Sequence, residues 1–207
     1  MFFSFDGIDG TGKTTQMRLF CDGLVARGCS VVACRDPGST ALGERIREIL
    51  LTSDGSTPIV RRSEMLLYMA ARAQLVDEVI RPALREGKIV VSDRFLLANI
   101  AYQGHAGGLA PDTIRQVGQL ATDGIMPDCV FLLDMPAEAA ARRLSRPLDR
   151  MESQGDQYRR RLREGFLAEA AQFGSNIHVI DADRPIEAVQ AEIWKIAAPM
   201  VNCPASD

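Results

Sequence analysis

The sequence predicts an α/β fold in which a five-stranded parallel sheet is flanked by helices, and three observations carry that prediction. Short apolar runs rich in β-branched or aromatic residues recur along the chain. Longer amphipathic stretches separate them, and a glycine-rich turn joins the first run to the first helical stretch. The strand candidates are Phe2–Phe5, Val31–Cys34, Ile89–Ser92, Cys129–Leu133 and Ile177–Ile180, each too short for a helix. Helical patterning marks Lys13–Arg27, Thr40–Leu51, Ser63–Arg85, Ala137–Leu144 and Ile186–Ala197. Pro136 and Pro185 stand just before two of these stretches, where a helix start tolerates proline. Such alternation implies right-handed crossovers, with ligands beyond the carboxyl ends of the strands. The loops after Phe5, Cys34, Ser92, Leu133 and Ile180 then share one rim.

Composition narrows the function. The 207 residues suffice for one well-buried core, so a single domain over residues 1–207 is expected. A formal net charge of −3 gives no broad basic surface and argues against nucleic acid as main partner. No apolar run approaches the ~20 residues of a membrane span. The opening Met1-Phe2-Phe3-Ser4-Phe5 lacks a basic flank and meets Asp6 at once, so it reads as a strand and not a signal peptide. The five cysteines contain no C-x-x-C pair, which predicts reduced thiols and a cytoplasmic protein. His105 and His178 have no metal-ligand spacing.

The strongest motif is Gly7-Ile8-Asp9-Gly10-Thr11-Gly12-Lys13-Thr14, which follows a strand and opens a helix. Its glycines let the backbone turn tightly and aim N–H groups inward at phosphate. Lys13 supplies a point charge for the β/γ-phosphates of ATP, and Thr14 a hydroxyl for Mg²⁺. The helix N-terminus adds partial positive charge, and Thr15 lies in its first turn. The pattern predicts a three-layer P-loop NTPase fold. The G-x-G-x-x-G spacing of a dinucleotide turn is absent.

Two further clusters ask for anions. Asp93, at the end of the third strand candidate, suits Mg²⁺, and Arg94 beside it has a planar fork suited to phosphate. Arginines also gather between Arg142 and Arg150, where helical patterning breaks at Pro147. They predict a mobile basic lid over about residues 144–155. Two anion sites with no evident general base fit a phosphate monoester as acceptor. Such a group is mostly dianionic at pH 7 and needs no proton removed. Catalysis then reduces to alignment and charge neutralisation.

Together these segments resemble the thymidylate (dTMP) kinase family. Phe5-Asp6-Gly7-Ile8-Asp9-Gly10-Thr11-Gly12-Lys13-Thr14-Thr15 is similar to that family's opening, and Arg35-Asp36-Pro37-Gly38-Ser39-Thr40 to its Arg-Glu-Pro-Gly-Gly-Thr loop. Asp93-Arg94-Phe95 with Ala101-Tyr102-Gln103-Gly104, and Leu148-Asp149-Arg150-Met151-Glu152, resemble two more of its segments. The resemblance implies ATP-dependent phosphorylation of dTMP to dTDP with Mg²⁺, and a homodimer. It also implies roles for particular residues. Asp9 would accept the sugar 3′-hydroxyl, and Arg94 would grip the acceptor phosphate. Tyr68 would stack on thymine while Arg72 bonds its O4, and Pro37 would line the same site. Asn99 would contact the base, and Tyr102 would crowd the sugar 2′ position. Arg143 and the loop around Ala182 would flank adenine, and Arg146 and Arg150 would be the lid arginines. Gly10 with a basic lid resembles the bacterial-type arrangement, in which the phosphate loop carries no arginine.

The sequence departs from the family pattern at Asp36, Ser39, Tyr68, Phe95 and Ala98, none of which removes a phosphate ligand. The rival reading is another P-loop kinase, acting on a deoxynucleoside or a different monophosphate. The Gly-x-Pro-Gly loop and Asp-Gly-Phe-Pro-Arg segment of adenylate kinases are missing, as is the Asn-Lys-x-Asp motif of a switch GTPase. A catalytically silent nucleotide binder would have little use for Lys13, Asp93, Arg94 and the basic cluster together.

Overall fold

All five apolar runs become strands: β1 (Phe2–Asp6), β2 (Val31–Arg35), β3 (Ile89–Asp93), β4 (Cys129–Asp134) and β5 (Ile177–Asp181). The computed structural model describes residues 1–51, 58–144 and 155–201. The strands pair in the order β2-β3-β1-β4-β5, and every neighbouring pair is parallel. Each strand runs one residue past its apolar signal, and the added residue is charged every time: Asp6, Arg35, Asp93, Asp134 and Asp181. Hydropathy cannot mark a charged side chain as strand, yet the backbone ladder continues through it. Beyond the ladder, Arg94 N donates to Phe5 O at 2.9 Å and Asp36 N to Asp93 O at 3.0 Å. The rim that should hold ligands is thus edged with charge.

The helices are α1 (Lys13–Val25), α2 (Ala41–Leu51), α3 (Arg61–Leu75), α4 (Arg81–Arg85), α5 (Leu96–Asn99), α6 (Pro111–Thr122), α7 (Ala137–Arg142), α8 (Asp156–Phe173) and α9 (Ile186–Ala197). The single helix expected over Ser63–Arg85 is in fact α3 and α4 joined by a π-helical turn, Val76–Ile80. Pro82 explains the break, because it has no N–H and its ring crowds the carbonyl four residues back. A second π-helical segment, Ile100–His105, extends α5, and Ala106 N closes a wide turn on Ala101 O at 2.9 Å.

Both faces of the sheet are covered, which is why β1 and β4 carry almost unbroken apolar runs. On one face Phe3, Phe5 and Phe131 pack with Phe20 of α1, ring centroids 5.0–5.8 Å apart, and Trp194 of α9 closes on Phe20 at 5.0 Å. On the other face Phe2 meets Phe95 edge-on at 5.1 Å. Each buried phenylalanine favours the fold by about 1.5–3 kcal/mol relative to exposure. This packing holds β1 rigidly beneath the loop that follows it.

The chain passes over β3 to form β2 and later over β1 to form β4, so connections leave β1 and β3 in opposite directions. Ligands of such sheets sit at this switch point. Cys21, Cys34 and Cys129 are free thiols as expected, whereas Cys29 is disulfide-bonded, against the expectation of reduced thiols throughout. No helix among the described residues is long and apolar enough to cross a membrane.

Candidate active site

The glycine-rich turn between β1 and α1 is built as the sequence demands. Gly7 (φ 134°) and Gly10 (φ 93°) occupy backbone conformations that side chains rarely adopt. A Cβ at Gly7 would lie 2.3 Å from Leu133 O, and one at Gly10 2.2 Å from Ala140 O. The loop therefore fits closely against the end of β4 and against α7. Thr11 Oγ1 donates to Ile8 O at 2.9 Å and fixes the turn. Lys13 is buried, its Nζ donating to Ile8 O at 2.8 Å and standing 3.4 Å from Asp9 Oδ1. Burial and the charge of Arg94 lower its pKa, an effect opposed by Asp9 and Asp93. Thr14 Oγ1 faces Asp93 Oδ2 at 3.5 Å, so the two residues expected at Mg²⁺ are adjacent.

Arg94 follows β3 with φ 68°, a left-handed backbone for a non-glycine residue. That turn brings its side chain back across the switch point. Nη1 donates to Gly7 O at 2.9 Å, while Nη2 bonds Asp9 Oδ1 and donates to Tyr102 Oη at 3.0 Å. Tyr102 Oη in turn donates to Asp9 Oδ2 at 2.7 Å. Burial alone would raise the pKa of Asp9, but the charges of Arg94 and Lys13 hold it below the usual carboxylate range. Burial works against the charge of Arg94, but Asp9 and other acidic neighbours raise its pKa further. The four groups form one locked cluster.

Beneath it, Asp6 is fully buried, and its Oδ1 has no partner while Oδ2 accepts from Ser4 Oγ at 3.1 Å. Burial, only partly offset by Arg94, raises its pKa from 3.8 to about 6. A carboxyl whose folded pKa is raised favours the fold below its unfolded pKa and loses that contribution as pH climbs through the folded value. Between pH 4 and 7 the loss is on the order of 2 kcal/mol. Replacing Asp6 by Asn removes this dependence. Urea denaturation at pH 4.5 and pH 7 is expected to show the variant gaining stability over wild type as pH rises; a constant difference between the two proteins would contradict the account.

Two cavities meet at the cluster. A large cleft of about 1090 Å³ runs from the phosphate loop past Arg143, Leu144, Ala182 and Ile186. A smaller cavity of about 110 Å³ is lined by Pro37, Leu51, Tyr68, Arg72, Ala98, Asn99, Tyr102 and Gln103. Asp9, Asp36, Arg47 and Arg94 line both. In the small cavity Arg72 is buried, its Nε donating to Asp36 Oδ2 at 2.5 Å and its Nη2 to Phe95 O at 3.3 Å. Asp36 Oδ1 and Asn99 Oδ1 are buried there without a partner. At the far end of the cleft Arg143 donates to Ala182 O at 3.2 Å and to Asp183 Oδ1 at 3.1 Å.

The structure thus gathers Gly10, Thr11, Gly12, Lys13, Thr14, Thr15, Asp93, Arg143 and Ala182 on the large cleft. It puts Pro37, Tyr68, Arg72, Asn99 and Tyr102 on the small cavity, and Asp9 and Arg94 between them. Gly7 and Ile8 sit behind the loop as carbonyl acceptors for Arg94 and Lys13. Arg146 and Arg150 lie outside the described residues. Arg47 of α2, which lines both cavities, carries no sequence signal; only the packing of α2 on α3 reveals it. Gln103 lies inside the Ala-Tyr-Gln-Gly stretch, and its position next to Tyr102 could have drawn notice.

A phosphate loop, a second arginine site and an adjoining smaller cavity on a parallel sheet define a P-loop kinase, a phosphotransferase. Comparison with known proteins points to the same class. The family model described as thymidylate kinase matches residues 5–193. The thymidylate kinase of Bifidobacterium longum (strain NCC 2705) is 46% identical over 195 residues, covering 93% of this chain and 95% of that protein. That of Fervidobacterium nodosum is 43% identical over 197 residues, covering 95% and 98%. The crystal structure of thymidylate kinase from Ehrlichia chaffeensis superposes with a TM-score of 0.78 at 32% identity, covering 95% of this chain and 97% of that one. The chain belongs to the thymidylate kinase family.

Proposed function

We propose that the chain transfers the γ-phosphoryl group of ATP to dTMP, giving dTDP and ADP. The observation that carries the acceptor assignment is the polarity of the small cavity. Its walls offer a donor, the Arg72 guanidinium, and an unpartnered acceptor, Asn99 Oδ1. A pyrimidine imide presents the matching pair, a C4 carbonyl and an N3–H. Leaving such buried groups unpaired costs about 1–3 kcal/mol each, so the match selects strongly.

Position supports the remaining roles. Tyr68 stacks on the base beside Pro37, and Asp9, which lines both cavities, accepts the sugar 3′-hydroxyl. Tyr102, held by Asp9 and Arg94, crowds the 2′ position and disfavours ribose. Arg94 and Arg47 hold the acceptor phosphate where the cavities join. Lys13 and the N–H groups of the phosphate loop hold the β- and γ-phosphates, and Arg143 with Ala182 flanks adenine. Thr14 and Asp93 offer hydroxyl and carboxylate oxygens, the hard donors that Mg²⁺ takes alongside phosphate and water. Mg²⁺ bound there neutralises charge between the phosphates.

The chain acts in this reading as one cytoplasmic domain, paired as a homodimer. The lid expected over about residues 144–155, with Arg146 and Arg150 as its phosphate-bridging arginines, falls almost entirely outside the described residues. The test is a panel of nucleoside monophosphates with ATP and Mg²⁺, following ADP release. The expected result is dTMP as the best acceptor. A better purine or cytosine acceptor would contradict the reading at the base site and leave the phosphate chemistry standing.

A further inference from the structure

A hydrogen-bonded chain runs from the small cavity into the protein interior. Asn99 Nδ2 donates to Gln103 Oε1 at 2.7 Å, and Gln103 Nε2 donates to Glu64 Oε1 at 2.9 Å. Arg61 Nη1 donates to the same Glu64 oxygen at 3.2 Å. Asn99, Gln103 and Glu64 are each at most 2% exposed, so the Asn99–Gln103 and Gln103–Glu64 bonds do not compete with bulk water, whereas Arg61 is partly exposed. Asn99 and Gln103 line the cavity; Glu64, on α3 about two turns before Arg72, is not among its lining residues.

An amide can present either its oxygen or its NH₂, and both orientations have nearly the same shape. A carboxylate paired with arginine only accepts. Gln103 must therefore turn Nε2 toward Glu64 and Oε1 toward Asn99. Asn99 must spend Nδ2 on that oxygen, and Oδ1 is the atom left without a partner. We propose that Glu64 is a positioning residue that sets the polarity of this chain and so makes the base site an acceptor of N3–H. A thymine or uracil ring supplies that hydrogen; the N3 of cytosine is itself an acceptor and meets Asn99 Oδ1 lone pair to lone pair. This proposal rests on the dTMP reading and adds to it a residue that touches no substrate.

The substitution Glu64→Gln tests it. Gln has the same shape but can donate, so the chain can reverse and offer Asn99 Nδ2 to the base. With full-length enzyme, ATP and Mg²⁺, the ratio of kcat/KM for dTMP over dCMP is expected to fall about tenfold or more, carried by KM for the monophosphate. The ratio of dTMP to dUMP should stay within about twofold, since both carry the imide. Glu64→Asp, which still only accepts, should retain the dTMP preference even where overall activity drops. If Glu64→Gln does not fold, Gln103→Met cuts the same chain and must lower the same ratio. A folded Glu64→Gln enzyme with an unchanged dTMP to dCMP ratio, or an equal loss for all three substrates, overturns the proposal alone. A wild-type enzyme that does not prefer dTMP over dCMP overturns the functional reading, and the proposal with it.

Discussion

Replacing Lys13 with Ala is expected to lower kcat by a factor of about a hundred to a thousand, with a smaller change in KM for ATP. The surroundings of Lys13 explain why the loss falls on the chemical step. Lys13 Nζ rests on the Ile8 carbonyl and beside Asp9, buried where its charge is disfavoured. When phosphate arrives, the same ammonium gains a partner whose negative charge grows as the γ-phosphoryl group leaves ADP. Its contribution is therefore larger in the transition state than in the ground state, which is the condition for raising kcat. Stability should not follow activity. The variant removes a buried, desolvated charge, and its melting temperature is expected to equal or exceed that of wild type. Rates of ADP release at saturating ATP and dTMP check the first statement, and thermal melts the second. Near-full kcat in the variant would contradict the phosphate role of Lys13.

The parts of the site that lie in contiguous stretches were legible in the sequence. The phosphate loop announces itself because its physical demands are local: glycines where φ is positive, a lysine where the helix begins. Gly10 shows how far this reaches. The bacterial-type reading has no arginine there, and the structure gives a reason within this chain, since any side chain would strike Ala140 O of α7. Ser39 shows a departure absorbed locally. It takes φ 62° in place of a glycine, and its Oγ accepts from Arg35 N at 2.9 Å while its own N donates to Glu44 Oε1 at 2.7 Å. Asp36, one methylene short of the family's glutamate, still reaches Arg72.

What could not be read depends on which element packs against which. Arg47 becomes a site residue only because α2 lies beside the loop that holds Pro37, to whose carbonyl it donates at 3.1 Å. The π-helical segment carrying Tyr102 left no mark in periodicity, although it decides where that tyrosine stands. The fixing contact is also remote: Tyr158 of α8 donates to Tyr102 O at 3.0 Å. The buried partnership of Glu64 with Gln103 joins residues 39 apart in sequence, beyond the reach of any pattern. Strand ends were underestimated for one consistent reason, that each ends in a charge which hydropathy assigns to the loop.

The second large effect belongs to Arg94. Its replacement by Ala is expected to lower kcat/KM for dTMP by on the order of a thousandfold while KM for ATP moves little. Two losses combine. In the proposed reading a charge-assisted partner for the acceptor phosphate disappears, and Asp9 and Tyr102 lose the group that holds them in place. Without Arg94, burial acts on Asp9 with Lys13 and the Tyr102 hydrogen bond left to oppose it, so its pKa should rise and activity should come to depend on pH in the acid range. Arg94→Lys separates charge from geometry. An ammonium restores the charge but lacks the planar fork that reaches Gly7 O, Asp9 and Tyr102 together, and recovery to within about tenfold of wild type is the most that a point charge should give. If the lysine enzyme matched wild type in kcat/KM for dTMP, the left-handed turn at Arg94 and the three contacts it makes possible would have no part in holding the acceptor. The site would then work by charge alone.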